Sequence, residues 1–470
     1  MSTAERSDQS PNIIVCTCDQ LRAFEVGCYG HPVVQTPHID RLAAQGVRFE
    51  HAVTNNPVCM PARSCLLSGQ HSRTCTGKLM NHTQRGPDGT TILSELPAPH
   101  RHELLDPTLA EHFKALGYDT ALIGKWHIHP APQLVGFDHA HYPWVHHRHT
   151  GQTFVDTAGD SRVVEGFSVE FEADRVGDYL SEQRDRPFFL FYNISPPHMP
   201  LMDAPQTYLT MYAPEDVQLR PNVHIDGRPA HDERWFRIYL WDFLFYQEQL
   251  PHTMTLPSGF DLRDLTALYY GLTTWVDDTV GRLMANLRQH GLADNTIVVF
   301  LADHGDNLGS HHLFNKGRLI EESIRIPLIF YAPKRWSARV NSAQVAQIID
   351  VMPTLLDLCG GTAPPQVQGR SLADIIKGTR EQLADKDAFI ETHEGQIGVR
   401  TRTHLFGLQL KDDLCTFAEQ GGCFFDLRTD PYEQHNLIQT GTQRKIADSL
   451  RQRLETWNRQ TTWFGAKART

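Results

Sequence analysis

Five near-continuous apolar runs divide the chain: NIIVCTC (12–18), TALIGKW (120–126), FFLFYNIS (188–195), TIVVFLAD (296–303) and PLIFYA (327–332). None alternates apolar with polar positions, so each predicts a strand covered on both faces, as in a mostly parallel sheet flanked by helices. Between the runs the period changes to that of helices. TPHIDRLAAQG predicts a helix with Thr36 as N-cap, Pro37 in its first turn and Gly46 at its stop. LAEHFKALG (109–117) predicts another. Residues 264–291 predict a long amphipathic helix with 265, 268, 272, 276, 280, 283 and 287 on its apolar face. Asp350 stands where it would cap VMPTLLDLCG (351–360). Beyond about 365 the runs shorten: DAFIETH, QIGVRTRTHLFGLQL and CFFDL read as strands, and RKIADSLRQRLETWNRQ as a closing helix. That order predicts an α/β domain over 1–380 and a small antiparallel sheet with one helix over 381–470.

In open α/β sheets chemistry collects beyond the carboxyl ends of the strands. There the sequence places Asp19 and Gln20, then Lys125 and His127, then His198, and finally Asp303 and His304. Polar or ionisable groups at four strand ends are the strongest signal in the chain. Asp19, Gln20, Asp303 and His304 offer four ligands to one divalent cation. The oxygens suit calcium, magnesium or manganese, and the histidine nitrogen shifts the balance toward manganese or another transition ion. The structural alternative is that the acids cap the helices that follow. Lys125, His127, His198, Arg63 and Lys316 would supply positive charge and proton transfer around an anion, although Lys316 reads equally well as a surface lysine. HAHYPWVHHRH (139–149) reads as a surface or lid loop rather than a dedicated metal site.

The formal net charge of -11 excludes a general nucleic-acid binder, so an anionic substrate needs a local positive pocket. No run reaches the roughly 18 apolar residues of a membrane span. MSTAERSDQSPN carries no apolar stretch of a secretory signal, and nine scattered cysteines form no disulfide framework. A cytoplasmic location is the expectation, with no membrane and no nucleic-acid partner.

The stretch NNPVCMPARSCLLSG (55–69) puts Cys59 at the start of a helix, where backbone amides favour an anion, with Pro61 in the first turn and Arg63 about one turn on. A thiolate nucleophile is one reading. Soft sulfur beside oxygen-ligated metal is a poor match, which favours an oxygen-bearing group at that position.

CMPAR resembles the sulfatase signature C-x-P-x-R, in which the cysteine is oxidised to formylglycine. NIIVCTCDQLR, GKWHIH, PPHMP, ADHGDNLGSHHLFNKG, DVMPTLLDLCG and FFDLRTDPYEQHNL are similar to further stretches of that family, in the same order. The resemblance implies an alkaline phosphatase-like fold and a hydrolase that frees inorganic sulfate from an organic sulfate monoester. It implies one divalent metal, calcium first and manganese second, on Asp19, Gln20, Asp303, His304 and the converted Cys59. It further implies Cys59, Arg63, Lys125, His127, His198 and Lys316 as catalytic residues, with Asn81, Lys125, His198 and Lys316 holding substrate. The substrate would be a small or glycan sulfate ester, and a formylglycine-generating enzyme would mature the chain. Its oligomeric state stays open. Ala62 stands where many sulfatases have serine. Asp19-Gln20 and Asp303-His304 resemble the pairs of some bacterial sulfatases and of phosphonate monoester hydrolases, so a phosphonate monoester or phosphodiester hydrolase is the alternative enzyme. Lys125 and His127 match the sulfatase pattern. A non-catalytic binder of sulfated glycans is the alternative outside enzymes. Loops 139–163 and 201–262 would set selectivity, with the aromatics of 233–247 as core, oligomer interface or substrate wall.

Overall fold

Each of the five apolar runs forms a strand in the computed structural model, which describes residues 10–81, 83–85, 91–93, 100–143, 147–224, 227–241 and 255–465. Five strands not predicted join them in one ten-stranded sheet. In chain order these are β1 (Asn12–Asp19), β2 (Val47–Val53), β3 (Asp119–Gly124), β4 (His139–Pro143), β5 (Thr153–Asp156), β6 (Ser161–Val163), β7 (Phe188–Pro197), β8 (Thr296–Ala302), β9 (Leu328–Tyr331) and β10 (Arg339–Gln347). Their spatial order is β10-β2-β9-β8-β1-β7-β3-β4-β5-β6. The contiguous block β8, β1, β7, β3 and β4 is parallel throughout. β9 is antiparallel to both β8 and β2, so β2 and its parallel partner β10 regain the direction of the block. The five missed strands lie toward the sheet's flanks, where one face or an end meets water. Their polar positions hide them from a search for unbroken apolar runs.

Helices cover both faces: α1 (Pro37–Gln45), α2 (Cys59–Ser68), α3 (Leu109–Ala115), α4 (Ser168–Ser181), α5 (Glu233–Trp241), α6 (Leu262–Gln289) and α7 (Val351–Leu358). Helix α1 has its predicted bounds, but its cap comes from elsewhere. The Thr36 hydroxyl accepts from Gly27 N–H (2.8 Å), while Asp277 of α6 accepts from His38 N–H (3.1 Å) and Ile39 N–H (2.7 Å). Gly46 stops α1 in an extended rather than a left-handed conformation, and glycine is needed because a Cβ there would lie 2.5 Å from the Phe330 carbonyl oxygen. Asp350 does not cap α7 with its side chain either. Its carboxylate accepts from Gln347 N–H and Arg370 N–H, closing the short turn that leads into the helix. For α1 a tertiary partner thus replaced the local cap that spacing suggested.

The second sheet is antiparallel, β11 (Ala388–Glu391), β12 (Gln396–Arg400), β13 (His404–Gln409) and β14 (Cys423–Asp426), with α8 (Arg444–Gln460) against one face. Leu450, Leu454 and Trp457 of α8 pack on Ile397, Val399, Phe406 and Phe424. Its other face packs on Val53, Leu319, Ile324 and Val345 of the large domain. Arg73 ties the two parts: its Nε donates to Glu391 (2.5 Å), and its guanidinium lies 4.5 Å from the Trp457 ring and 4.8 Å from the Trp463 ring.

Leu319 is held in a slot formed by two glycines, Gly398 and Gly407, which face each other across β12 and β13. A Cβ on Gly407 would lie 2.4 Å from Leu319 Cδ2 and 2.9 Å from Cys423 Sγ. Gly407→Ala is therefore expected to cost about 1–3 kcal/mol through overpacking, read as a lower urea midpoint. Because Leu319 lies three residues after Lys316, the same variant should also lower turnover.

Candidate active site

The parallel block brings its carboxyl ends to one edge, and the residues singled out beyond them meet there. Asp19 ends β1, Lys125 and His127 follow β3, His198 follows β7, and Asp303 and His304 follow β8. Cys59 arrives from β2 at the first turn of α2. Gln20 and His127 both have positive φ (65° and 48°), a backbone that β-carbons oppose, which turns each chain sharply at its strand end. None of these residues is exposed to solvent; all are buried.

Asp19, Cys59, Asp303 and His304 each bring a ligand atom within 4.8 Å of the others. Arg63, one turn into α2, sits beneath them. Its Nε donates to Asp303 Oδ2 (3.0 Å), Nη2 to Asp19 Oδ2 (3.2 Å) and Nη1 to the Lys125 carbonyl (3.2 Å). Lys125 Nζ lies 2.6 Å from Asp19 Oδ2. Burial raises the Asp19 carboxyl, but Lys125, His198, Lys316 and Arg63 overcome it and hold the group well below its usual range. His304 Nδ1–H donates to the Gly305 carbonyl (2.8 Å), so the Nε2 lone pair faces inward, 3.2 Å from Cys59 Sγ.

Gln20 approaches from the side. Its Nε2–H donates to Asp306 (2.5 Å), and its Oε1 accepts from Lys316 Nζ (2.9 Å). The same ammonium is 2.9 Å from Cys59 Sγ and 2.9 Å from His198 Nε2. His198 Nδ1–H donates to the Met199 carbonyl (2.6 Å), which fixes Nε2 as the acceptor facing Lys316. Burial and Asp19 push the Cys59 thiol up, yet Lys316, Lys125 and His304 bring it below its ordinary value. Asn81 is tied to the helix: its Oδ1 accepts from Met60 N–H (3.0 Å), so its amide NH2 is the end left for a ligand. All eleven predicted residues thus belong to one connected cluster or line its wall.

Residues outside the prediction complete it. Tyr239 of α5 donates to Asp306 (2.5 Å) and accepts from Asn315 N–H (2.6 Å), joining the supports of Gln20 and Lys316. Phe236, Ile238, Tyr239 and Leu240 are buried, so this part of the aromatic run is core; 242–247 lies outside the described residues. The histidine-rich segment, read as a surface or lid loop, is in part a strand and in part buried. Residues 139–143 are strand β4, and His147 and His149 are buried against the site, whereas 144–146 lie outside the described residues. His147 stacks on His198 with centroids 4.2 Å apart and meets His127 edge-on at 5.4 Å. Recognising β4 as a fifth parallel strand would have pointed to its carboxyl end.

An alkaline phosphatase-like sheet, with acids and a ring of lysines and histidines around one buried nucleophile at its carboxyl edge, defines a hydrolase of anionic esters. Family models narrow that class: one described as sulfatase matches residues 11–361, and one described as N-sulphoglucosamine sulphohydrolase, C-terminal, matches 309–460. The chain belongs to the sulfatase family and is a sulfuric ester hydrolase. It is 31% identical to an ulvan-active sulfatase of Formosa agariphila, over 93% of this chain and 79% of that one. It is similar to a solved structure described as in complex with its substrate D-glucosamine-2-N,6-O-disulfate (TM-score 0.78, 24% identity, 96% and 98% of the two chains). The phosphonate monoester hydrolase of Agrobacterium radiobacter shares the fold (TM-score 0.71, 20% identity, 96% of each chain).

Proposed function

We propose that the chain is a metal-dependent sulfatase that works with formylglycine at position 59 and frees sulfate from a sulfated sugar or small sulfate ester. One observation carries the reading: the Cys59 side chain is where Lys316, His304 and both carboxylates meet. The donor set fits a divalent cation, since two carboxylates and an inward Nε2 converge there, and the Gln20 amide oxygen sits 2.9 Å from the ammonium that touches Cys59; the family resemblance puts calcium ahead of manganese. A cation would be held by Asp19, Gln20, Asp303 and His304 and would supply charge that makes an oxygen at position 59 nucleophilic. A formylglycine hydrate would supply that oxygen and a second hydroxyl, whose loss of a proton would expel sulfate and restore the aldehyde.

The remaining steps fall to side chains. Lys125 and Lys316 neutralise the sulfate oxygens as the S–O ester bond breaks, and the Asn81 NH2 donates to one of them. The departing alcohol takes its proton from the Lys316–His198 pair, whose hydrogen bond already runs from Nζ to Nε2. His127 accepts the proton of the second hydroxyl. Arg63 keeps the two acids apart and fixed. A formylglycine-generating enzyme is the required maturation partner.

The test combines peptide mass analysis of residue 59 with sulfate release from an aryl sulfate. Unconverted cysteine in fully active protein would refute the reading. Chelation is expected to lower activity at least about tenfold, with calcium or manganese restoring it. The Asp19-Gln20 and Asp303-His304 pairs favour a second reading as a phosphonate monoester hydrolase. A larger kcat/KM on an aryl phosphonate than on an aryl sulfate would select it.

A further inference from the structure

We propose that His147 is a substrate-contacting residue that donates a hydrogen bond to an oxygen of the ester group seated on residue 59, an inference that rests on the sulfatase reading. His147 follows β4 at the same edge that presents Asp19, Lys125, His198 and Asp303. It is only 2% exposed, in a chain where most of the 26 histidines have no such place. Its plane lies 15° from that of His198 and 84° from that of His127, so it fills the corner between the two. One of its ring nitrogens, one of His198 and Cys59 Sγ all lie within 4.8 Å of one another.

That range decides the function. A hydrogen bond spans about 2.8–3.0 Å, so a ring nitrogen no further than 4.8 Å from the nucleophile, carrying the proton, is within reach of an oxygen of the group under attack. An imidazole carries at least one N–H in either protonation state. In transfer of a related phosphoryl group, charge spreads over three equatorial oxygens, and each oxygen accepts more than one bond. His147 is a fourth donor side chain for those oxygens, beside Lys125, Lys316 and Asn81. The structural alternative is that His147 only props the His198 ring through the stack. The two roles separate cleanly, because phenylalanine keeps the stack and loses the donor, whereas glutamine keeps a donor and loses the ring.

The experiment compares His147→Phe, His147→Gln and His147→Ala in chains with equal conversion of residue 59 and equal melting temperature, on an aryl sulfate. Phe and Ala are expected to lose about tenfold to a hundredfold in kcat, with KM held within about threefold, and Gln to recover much of the loss. Wild-type turnover in His147→Phe, or a Gln variant no better than Phe, overturns the contact. If the wild-type chain cleaves an aryl phosphonate but no sulfate ester, the sulfatase reading fails instead. The same Phe–Gln contrast on the phosphonate then decides His147.

Discussion

Cys59→Ala is expected to stop sulfate release, lowering kcat by at least about a thousandfold. The fold should hold, because the side chain is small and the neighbouring ions keep their partners: Arg63 stays on both carboxylates and Lys316 stays on Gln20. Cys59→Ser makes a sharper prediction. A serine offers one hydroxyl, so attack on sulfur can proceed but no second hydroxyl is present to drive sulfate out. The variant should complete at most one turnover and carry a sulfate on residue 59, visible by mass analysis. Repeated turnover by the serine variant would end the two-hydroxyl scheme.

Arg63→Met should bring the largest loss of stability, about 3–5 kcal/mol in the absence of added cation. Asp19 and Asp303 are both fully buried, and Arg63 is the guanidinium that donates to each. Without it the two carboxylates face each other with only Lys125 left on Asp19, in a medium that screens them poorly. Urea unfolding in chelator reads the loss. Addition of calcium should restore part of it, because the proposed cation binds between the same two acids. Arg63→Lys should fare little better, since an ammonium cannot span two carboxylates and a carbonyl at once. A methionine variant as stable as wild type in chelator would mean that one acid is protonated in the folded chain.

The ends of β1, β3, β7 and β8 were legible because their apolar runs stop abruptly at ionisable residues, and burial on both faces leaves little choice of period. Lys316 gave no such mark. Its place comes from Leu319 in the glycine slot of the second sheet and from Asn315 on Tyr239, contacts of long sequence separation. His147 was hidden for a different reason. HAHYP alternates, as befits a strand between the parallel core and two short antiparallel strands, so β4 did not register and its carboxyl end went unexamined. Thr36 shows the limit of local rules: the sequence predicted the helix, while the cap came from Asp277 on α6.

The depth of Cys59 also orders events in the life of the chain. A residue with no accessible surface is out of reach of any modifying enzyme's own active site once folding is complete. On the formylglycine reading proposed above, conversion to the aldehyde would precede closure, on a nascent or still extended segment, in competition with formation of the core. A chain that folded first would keep the thiol, so on that reading specific activity should depend on synthesis rate and on the supply of the proposed maturing enzyme as much as on sequence.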